Sequence, residues 1–234
     1  MAKMKISKYI FSFLILLTCL GLKAQKQEWN GLTLNADLSR LVLPYIDTTR
    51  HGWEFSGDYE LRNDLFLVTE FGTETTKLNK TLYNYYSSGG YTRLGIDYNF
   101  MRHADVTSHD KMFLGLRYGF TTYYHQADHI IVADDSWGNY TGSHVDKKWL
   151  TGHWAEAALG MRTQLFGNFY LGWSVRLCVL LHVQNDPVMV PYSIPGFGKA
   201  WNNTSIGFNY SLSYKIPIYK RKIVAIKKET KKKK

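Results

Sequence analysis

The densest set of side chains able to do chemistry lies between residues 125 and 153. His125, Asp128, His129, Asp134, Asp135, Ser136, His144 and Asp146 fall in one stretch, with His153 at its far end. Imidazoles beside carboxylates can hold a divalent metal. A Ser, His and Asp set can carry an acyl group. On those readings the candidates are His125, Asp128, His129 and Ser136. Neither spacing forms a motif, because His125-x-x-x-His129 brings its two imidazoles close together only on a helix, one turn apart, and nothing nearby has helical period. The simpler reading is a polar surface loop. No metal or cofactor is expected. Cys178 has no His placed to activate it and reads as packing.

The same region is rich in rings. Trp137, Tyr140 and Trp149, with Tyr83, Tyr85 and Tyr86 from an earlier stretch, could form a contact surface for a ligand or partner. A third segment contains Pro187, Pro191 and Pro195 and reads as a stiff, ordered cap.

The elements that must position these residues show period two, the signature of strands with two unlike faces. Ile206, Phe208, Tyr210, Leu212, Tyr214, Ile216 and Ile218 alternate with Ser205, Gly207, Asn209, Ser211, Ser213 and Lys215. Phe169 to Val183 repeats the pattern. Eight strands are predicted near 32–43, 51–61, 64–73, 90–102, 111–124, 153–165, 168–183 and 203–218. Short connections alternate with longer ones at 44–50, 74–89, 125–152 and 184–202. In an up-and-down meander, every short turn then falls on the end that holds both termini.

Composition narrows the class. The chain has 234 residues, mean hydropathy −0.28 and 15% aromatic residues. It lacks the repeated apolar runs of a helical membrane protein. The net charge of +10 sits at the ends. Residues 1–24 carry four lysines and no acid, and residues 220–234 carry nine basic residues against Glu229. The intervening chain is mildly acidic, so no basic face for nucleic acid is indicated. Residues 1–24 read as a secretory signal of the Sec type, with cleavage near Ala24-Gln25. Residues 25–219 read as the barrel, and 220–234 as a disordered basic tail in the periplasm.

Alternation alone does not tell a membrane barrel from a soluble one, which would turn its apolar rows inward around an apolar ligand. Three features favour the membrane. The polar rows are rich in glycine, which suits a crowded interior. They carry Arg rather than Lys. The strands reach the length needed to cross a bilayer. Aromatics near strand ends, such as Phe100, Phe120, Tyr123, Tyr124 and Phe169, fit interfacial girdles. The polar rows then place Asp37, Glu54, Asp58, Glu60, Glu70, Asp97 and Glu156 inside. Facing them are Arg93, Arg117, Arg162 and Arg176. Charges of both signs in a narrow space must pair, so a plugged interior without an open pore is expected. In the last strand, Gly207, Tyr210 and Leu212 match the pattern read by the outer-membrane assembly machinery.

Several stretches carry a resemblance. Asp37-Leu38-Ser39-Arg40-Leu41-Val42-Leu43-Pro44, Gly115-Leu116-Arg117-Tyr118-Gly119-Phe120, Gly172-Trp173-Ser174-Val175-Arg176, Tyr192-Ser193-Ile194-Pro195-Gly196-Phe197-Gly198-Lys199 and Tyr214-Lys215-Ile216-Pro217-Ile218 stand out. Together they resemble a family of uncharacterised small outer-membrane barrels of Bacteroidetes-type Gram-negative bacteria. The resemblance implies a signal peptide and a barrel, and no activity.

The expectation is therefore an all-β, eight-stranded antiparallel transmembrane barrel of the cell envelope. It would meet outer-membrane lipids and present long outer loops as a structural or binding surface. The alternatives are an outer-leaflet lipid hydrolase or acyltransferase using residues 125–153, and a soluble periplasmic barrel.

Overall fold

The computed structural model describes residues 29–62, 64–101, 110–132 and 140–220. The signal, its cleavage site, the basic tail, Trp137 and Ser136 lie outside the described residues. Strand β1 (Trp29–Asp37) leads into helix α1 (Ser39–Ile46). Then come β2 (Arg50–Arg62), β3 (Leu65–Asn79), β4 (Asn84–Asn99), β5 (Lys111–Val132), β6 (Tyr140–Phe166) and β7 (Phe169–Val183). A small hairpin, β8 (Ser193–Ile194) and β9 (Gly198–Lys199), precedes β10 (Thr204–Lys220). The eight long strands close into an antiparallel barrel in the order β1-β10-β7-β6-β5-β4-β3-β2. The seam runs from Trp29↔Lys220 to Asp37↔Ser211. Closure removes the edges within the ring, and β6 projects past β7 beyond Gly152↔Val183 with β5 as its strand partner.

Each wall sorts its residues by parity. The charged rows face inward and are buried: Glu70, Asp58 and Arg93 are each 2% exposed. The apolar rows face outward, with Leu116 63% and Ile206 78% exposed. An inverted arrangement, with apolar rows inside, is therefore excluded. Tyr123 faces inward and is fully buried, so it is not part of an outer girdle as the sequence suggested. The narrow interior explains the inward glycines. A Cβ on Gly119 would lie 2.2 Å from the Trp154 indole.

The structure corrects three boundaries. The first strand stops at Asp37, and residues 39–46 are helical rather than extended. The Asp37 carboxylate accepts from the Ser39 amide at 2.8 Å and from its hydroxyl, which turns the chain there. Pro44 stands inside the helix with a helical φ but no N–H to offer the Arg40 carbonyl, and the helix ends two residues later at Ile46. The supposed loop 74–89 is mostly strand, since β3 and β4 pair out to Asn79↔Asn84. The supposed loop 125–152 is also largely strand, because β5 and β6 continue through several bulges to Val132↔Tyr140. His129 sits in this bulged stretch with φ of 56°. The segment 184–203 has little regular structure beyond its small hairpin.

Candidate functional site

The barrel interior is built by alternate residues of the eight long strands, with the charged groups concentrated on β2 to β7. At its centre, three arginines interleave with three glutamates and Asp97. Arg93 Nη1 lies 2.8 Å from Glu70 and 3.0 Å from Glu54, and its Nε is 3.1 Å from Glu156. Arg176 Nη1 lies 2.9 Å from Glu54 and 3.2 Å from Glu70. Arg117 reaches Asp97 at 3.1 Å, Glu70 at 3.3 Å and Glu156 at 3.4 Å. Each of the three glutamates thus meets more than one guanidinium, while Asp97 pairs with Arg117, as buried charges require. Toward the end with the short turns, Asp58 takes a two-pronged contact from Arg162 at 2.7 and 3.0 Å. It also accepts from Asn35 at 3.1 Å, and the Lys111 ammonium lies 3.5 Å away. A cavity of about 30 Å³ among Asn35, Asp58, Arg117 and Arg162 leaves room for about one water molecule.

The other end is closed by two segments from outside the strand pattern. Helix α1 turns Arg40 inward, where it lies 2.7 Å from Glu74 and 3.4 Å from Glu54 and donates to the Tyr91 hydroxyl at 3.1 Å. Arg50 also reaches Glu74, at 2.7 Å. The 184–203 segment enters the mouth of the barrel. Its Ile194 and Phe197 are buried against Tyr91, Tyr123, Leu150, Trp154 and Cys178. The Gly196 carbonyl accepts from Arg93 Nη2 at 2.7 Å. Gly196 has φ of +81°, and a Cβ there would sit 2.5 Å from the Tyr91 ring. Glycine is needed on both counts.

The segment is tied at its start by Asp186. This buried carboxylate lies 2.9 Å from His125 Nε2 and 2.9 Å from Lys148 Nζ, and it accepts from the Val188 amide at 3.1 Å. Burial alone would raise its pKa. The hydrogen bonds from Lys148, Val188 and His125 outweigh burial and hold the carboxyl below its ordinary 3.8. Farther along, the Tyr192 amide donates to the Tyr85 hydroxyl at 3.1 Å.

The residues named from the sequence separate into groups. Glu54, Glu70, Arg93, Asp97, Arg117, Glu156 and Arg176 meet in one network, and Asp58 and Arg162 pair beside it. Asp37 is 3.8 Å from Arg40, and Glu60 is buried toward the turn end. Of the four chemical candidates, the three among the described residues are not assembled: His125 is buried and faces inward, while Asp128 and His129 are exposed. Among the described residues, no group of three or more His, Cys, Asp or Glu is arranged to hold a metal ion. The aromatic set also divides. Tyr85 is buried inside beside His125 and Tyr192, which removes it from any contact surface. Tyr83 packs partly beneath it. Tyr86 and Trp149 remain on the outer wall, and only the backbone of Tyr140 is described. Strand parity makes this division, because Tyr85 and Tyr86 are consecutive and must point to opposite faces.

Sequence reasoning missed Arg40, Glu74, Tyr91 and Asp186. Glu74 lies one residue past the predicted 64–73 strand and continues the row of Glu70 and Gly72, while Tyr91 lies inside the predicted 90–102 strand and continues that of Arg93, so period two marks both. Arg40 and Asp186 lie outside any strand row.

The fold and its interior define a closed eight-stranded antiparallel barrel filled by ion pairs and capped at one end. The chain belongs to the family described as Domain of unknown function (DUF6048), whose model matches residues 6–221. No curated protein matches the chain. Among solved structures, the crystal structure of Neisserial surface protein A (NspA) is similar at 15% identity and a TM-score of 0.40. The similarity covers 81% of this chain and 100% of that one.

Proposed function

We propose that the protein is an integral outer-membrane β-barrel with a closed, non-conducting interior, whose capped end presents a non-enzymatic binding or structural surface. One observation carries the reading: charged rows are buried inside the wall and large apolar side chains cover its outside. Soluble proteins rarely expose contiguous apolar area on this scale. In a bilayer the same rows are the lipid-facing band. The capped end carries the extended hairpins of β3 to β6, helix α1 and the 184–203 segment, whereas the β2–β3 and β6–β7 turns at the other end are two residues long, and this asymmetry supports the same orientation. Leu41, Val42, Tyr45 and Ile46 of α1 are exposed as well, and extend the apolar surface at the rim. Gly207, Tyr210 and Leu212 in β10 are the proposed signal for assembly into the membrane.

The dispersal of His125, Asp128 and His129 argues against acyl transfer as the primary role. The test is gel mobility of the outer-membrane fraction with and without heating. A folded band that shifts on boiling is the expected result. Recovery in the soluble periplasm without a shift would overturn the membrane reading. Large, stable single-channel currents in planar bilayers would overturn the closed interior.

A further inference from the structure

Above the apolar rows, the outer wall of β3 to β6 carries a different surface. Lys77 pairs in register with Tyr86, and its ammonium lies 5.7 Å from the center of that ring. Tyr86 stacks 5.8 Å from Tyr124, and Tyr124 meets Trp149 edge-on at 5.1 Å. The Lys147 ammonium lies 3.8 Å from the Tyr124 ring and 5.4 Å from Trp149. This is a ladder of three rings across three strands, with the Lys77 ammonium beside Tyr86 at one end and the Lys147 ammonium over the middle ring, Tyr124, on its Trp149 side. Apolar residues on the same faces, such as Leu94, Leu116 and Phe120, lie nearer the turn end. The acids farther along this hairpin, Asp128 and Asp146, lie toward its tip, and Asp146 is 3.2 Å from His144.

We propose that this ladder binds the headgroup of a phosphorylated glycolipid of the outer leaflet. The inference rests on the membrane reading above. Ring faces accept the C–H face of a sugar, and the two ammonium groups supply the charge for phosphate. From β3 to β6 the ladder covers three strand spacings, roughly 14 Å, which is wider than one sugar ring. Its height beside the lipid-facing rows matches a headgroup rather than an acyl chain.

The experiment uses the full chain folded in detergent micelles and native mass spectrometry. The probes are phosphorylated lipid A, the same lipid A with its phosphates removed, and phosphatidylglycerol. The wild type should bind phosphorylated lipid A about twenty-five-fold more tightly than the dephosphorylated form, from about five-fold per lysine. Lys77→Gln with Lys147→Gln should abolish that preference and keep the heat-shifted band. If the double variant loses the band, Lys147→Gln alone should lose about five-fold.

Equal binding of the two lipid A forms, or a preference that survives the double substitution, would overturn the proposal. Phosphatidylglycerol binding as tightly as lipid A would mean a site for any anionic lipid and would overturn the glycolipid assignment. Displacement by excess inorganic phosphate would mean a free-anion site, with the same consequence. A protein that never enters membranes fails the membrane reading. One that enters but treats the probes alike fails only this proposal.

Discussion

Leu116 and Arg117 are neighbours in the chain and live on opposite faces of one wall. Leu116 is exposed on the outside, while Arg117 is buried against Asp97, Glu70 and Glu156. The stakes of the two faces differ in kind. Outside, one apolar side chain can replace another, because the requirement is only for apolar surface. Inside, each charge depends on particular partners, and removing one leaves the rest buried and unpaired. A slip of one residue in register would exchange the two faces.

The largest expected effect comes from breaking the inner face at its hub. Arg93→Leu removes the partner shared by Glu54, Glu70 and Glu156 and should cost about 3–5 kcal/mol. The check is a lower urea midpoint for loss of the heat-shifted band. An unchanged midpoint would mean that Arg117 and Arg176 carry the network without it.

The outer face should answer next. Leu116→Arg sets a guanidinium on the lipid-facing row and should cost about 2–4 kcal/mol near mid-bilayer. On a wall facing water, the same change would fall within about 0.5 kcal/mol. Folding in lipid vesicles separates the two, and a negligible cost there would count against the membrane reading.

The interior also contrasts with itself. Near the turn end it is closed by pairs between strands, such as Asp58 with Arg162. At the other end it is closed by a segment from 184–203 that must dock. Gly196→Ala forces a strained φ and a collision with Tyr91, at about 1–3 kcal/mol. The expected outcome is faster protease cleavage within 184–203 while the barrel keeps its heat shift. Equal resistance to wild type would show that the segment accommodates the methyl group.

A smaller effect is expected at the tie formed by Asp186. A carboxyl whose folded pKa is depressed contributes stability that is complete above its unfolded value, here about 3.8. That contribution is lost as pH falls through the lower folded value. Cleavage of 184–203 by an acid-active protease should therefore accelerate below about pH 3.8. In Asp186→Asn this acceleration should be absent, with cleavage faster than wild type at higher pH. A pH profile identical in the two proteins would remove Asp186 from the tie.

The rows of the barrel wall were legible because period two pairs a charged or small residue with an apolar one along most strands. The inner charges Glu54, Asp58, Glu70, Arg93, Arg117 and Arg176 could be named for that reason. The outward continuation of β3 to β6 was not legible. There both faces turn polar, as with inward Glu74 and Thr76 against outward Thr75 and Lys77, and the contrast that marks a strand disappears. Helix α1 was hidden for the opposite reason: Leu41, Val42 and Leu43 are apolar in succession and fit no two-residue period.

The sequence by itself determined that strands would alternate, which residues would share a face, and that one face would be charged. Alternation alone is the same in either sense, and the inward turn of the polar rows is inferred from their glycines, their arginines and the strand lengths. Closure showed it directly, by burying the charged rows where Glu54, Glu70, Asp97 and Glu156 meet guanidinium groups. The sequence could not bring Asp186 to His125, or Gly196 to Arg93. Those contacts join residues far apart in the chain, and only the docking of 184–203 into the barrel mouth places them within hydrogen-bond reach.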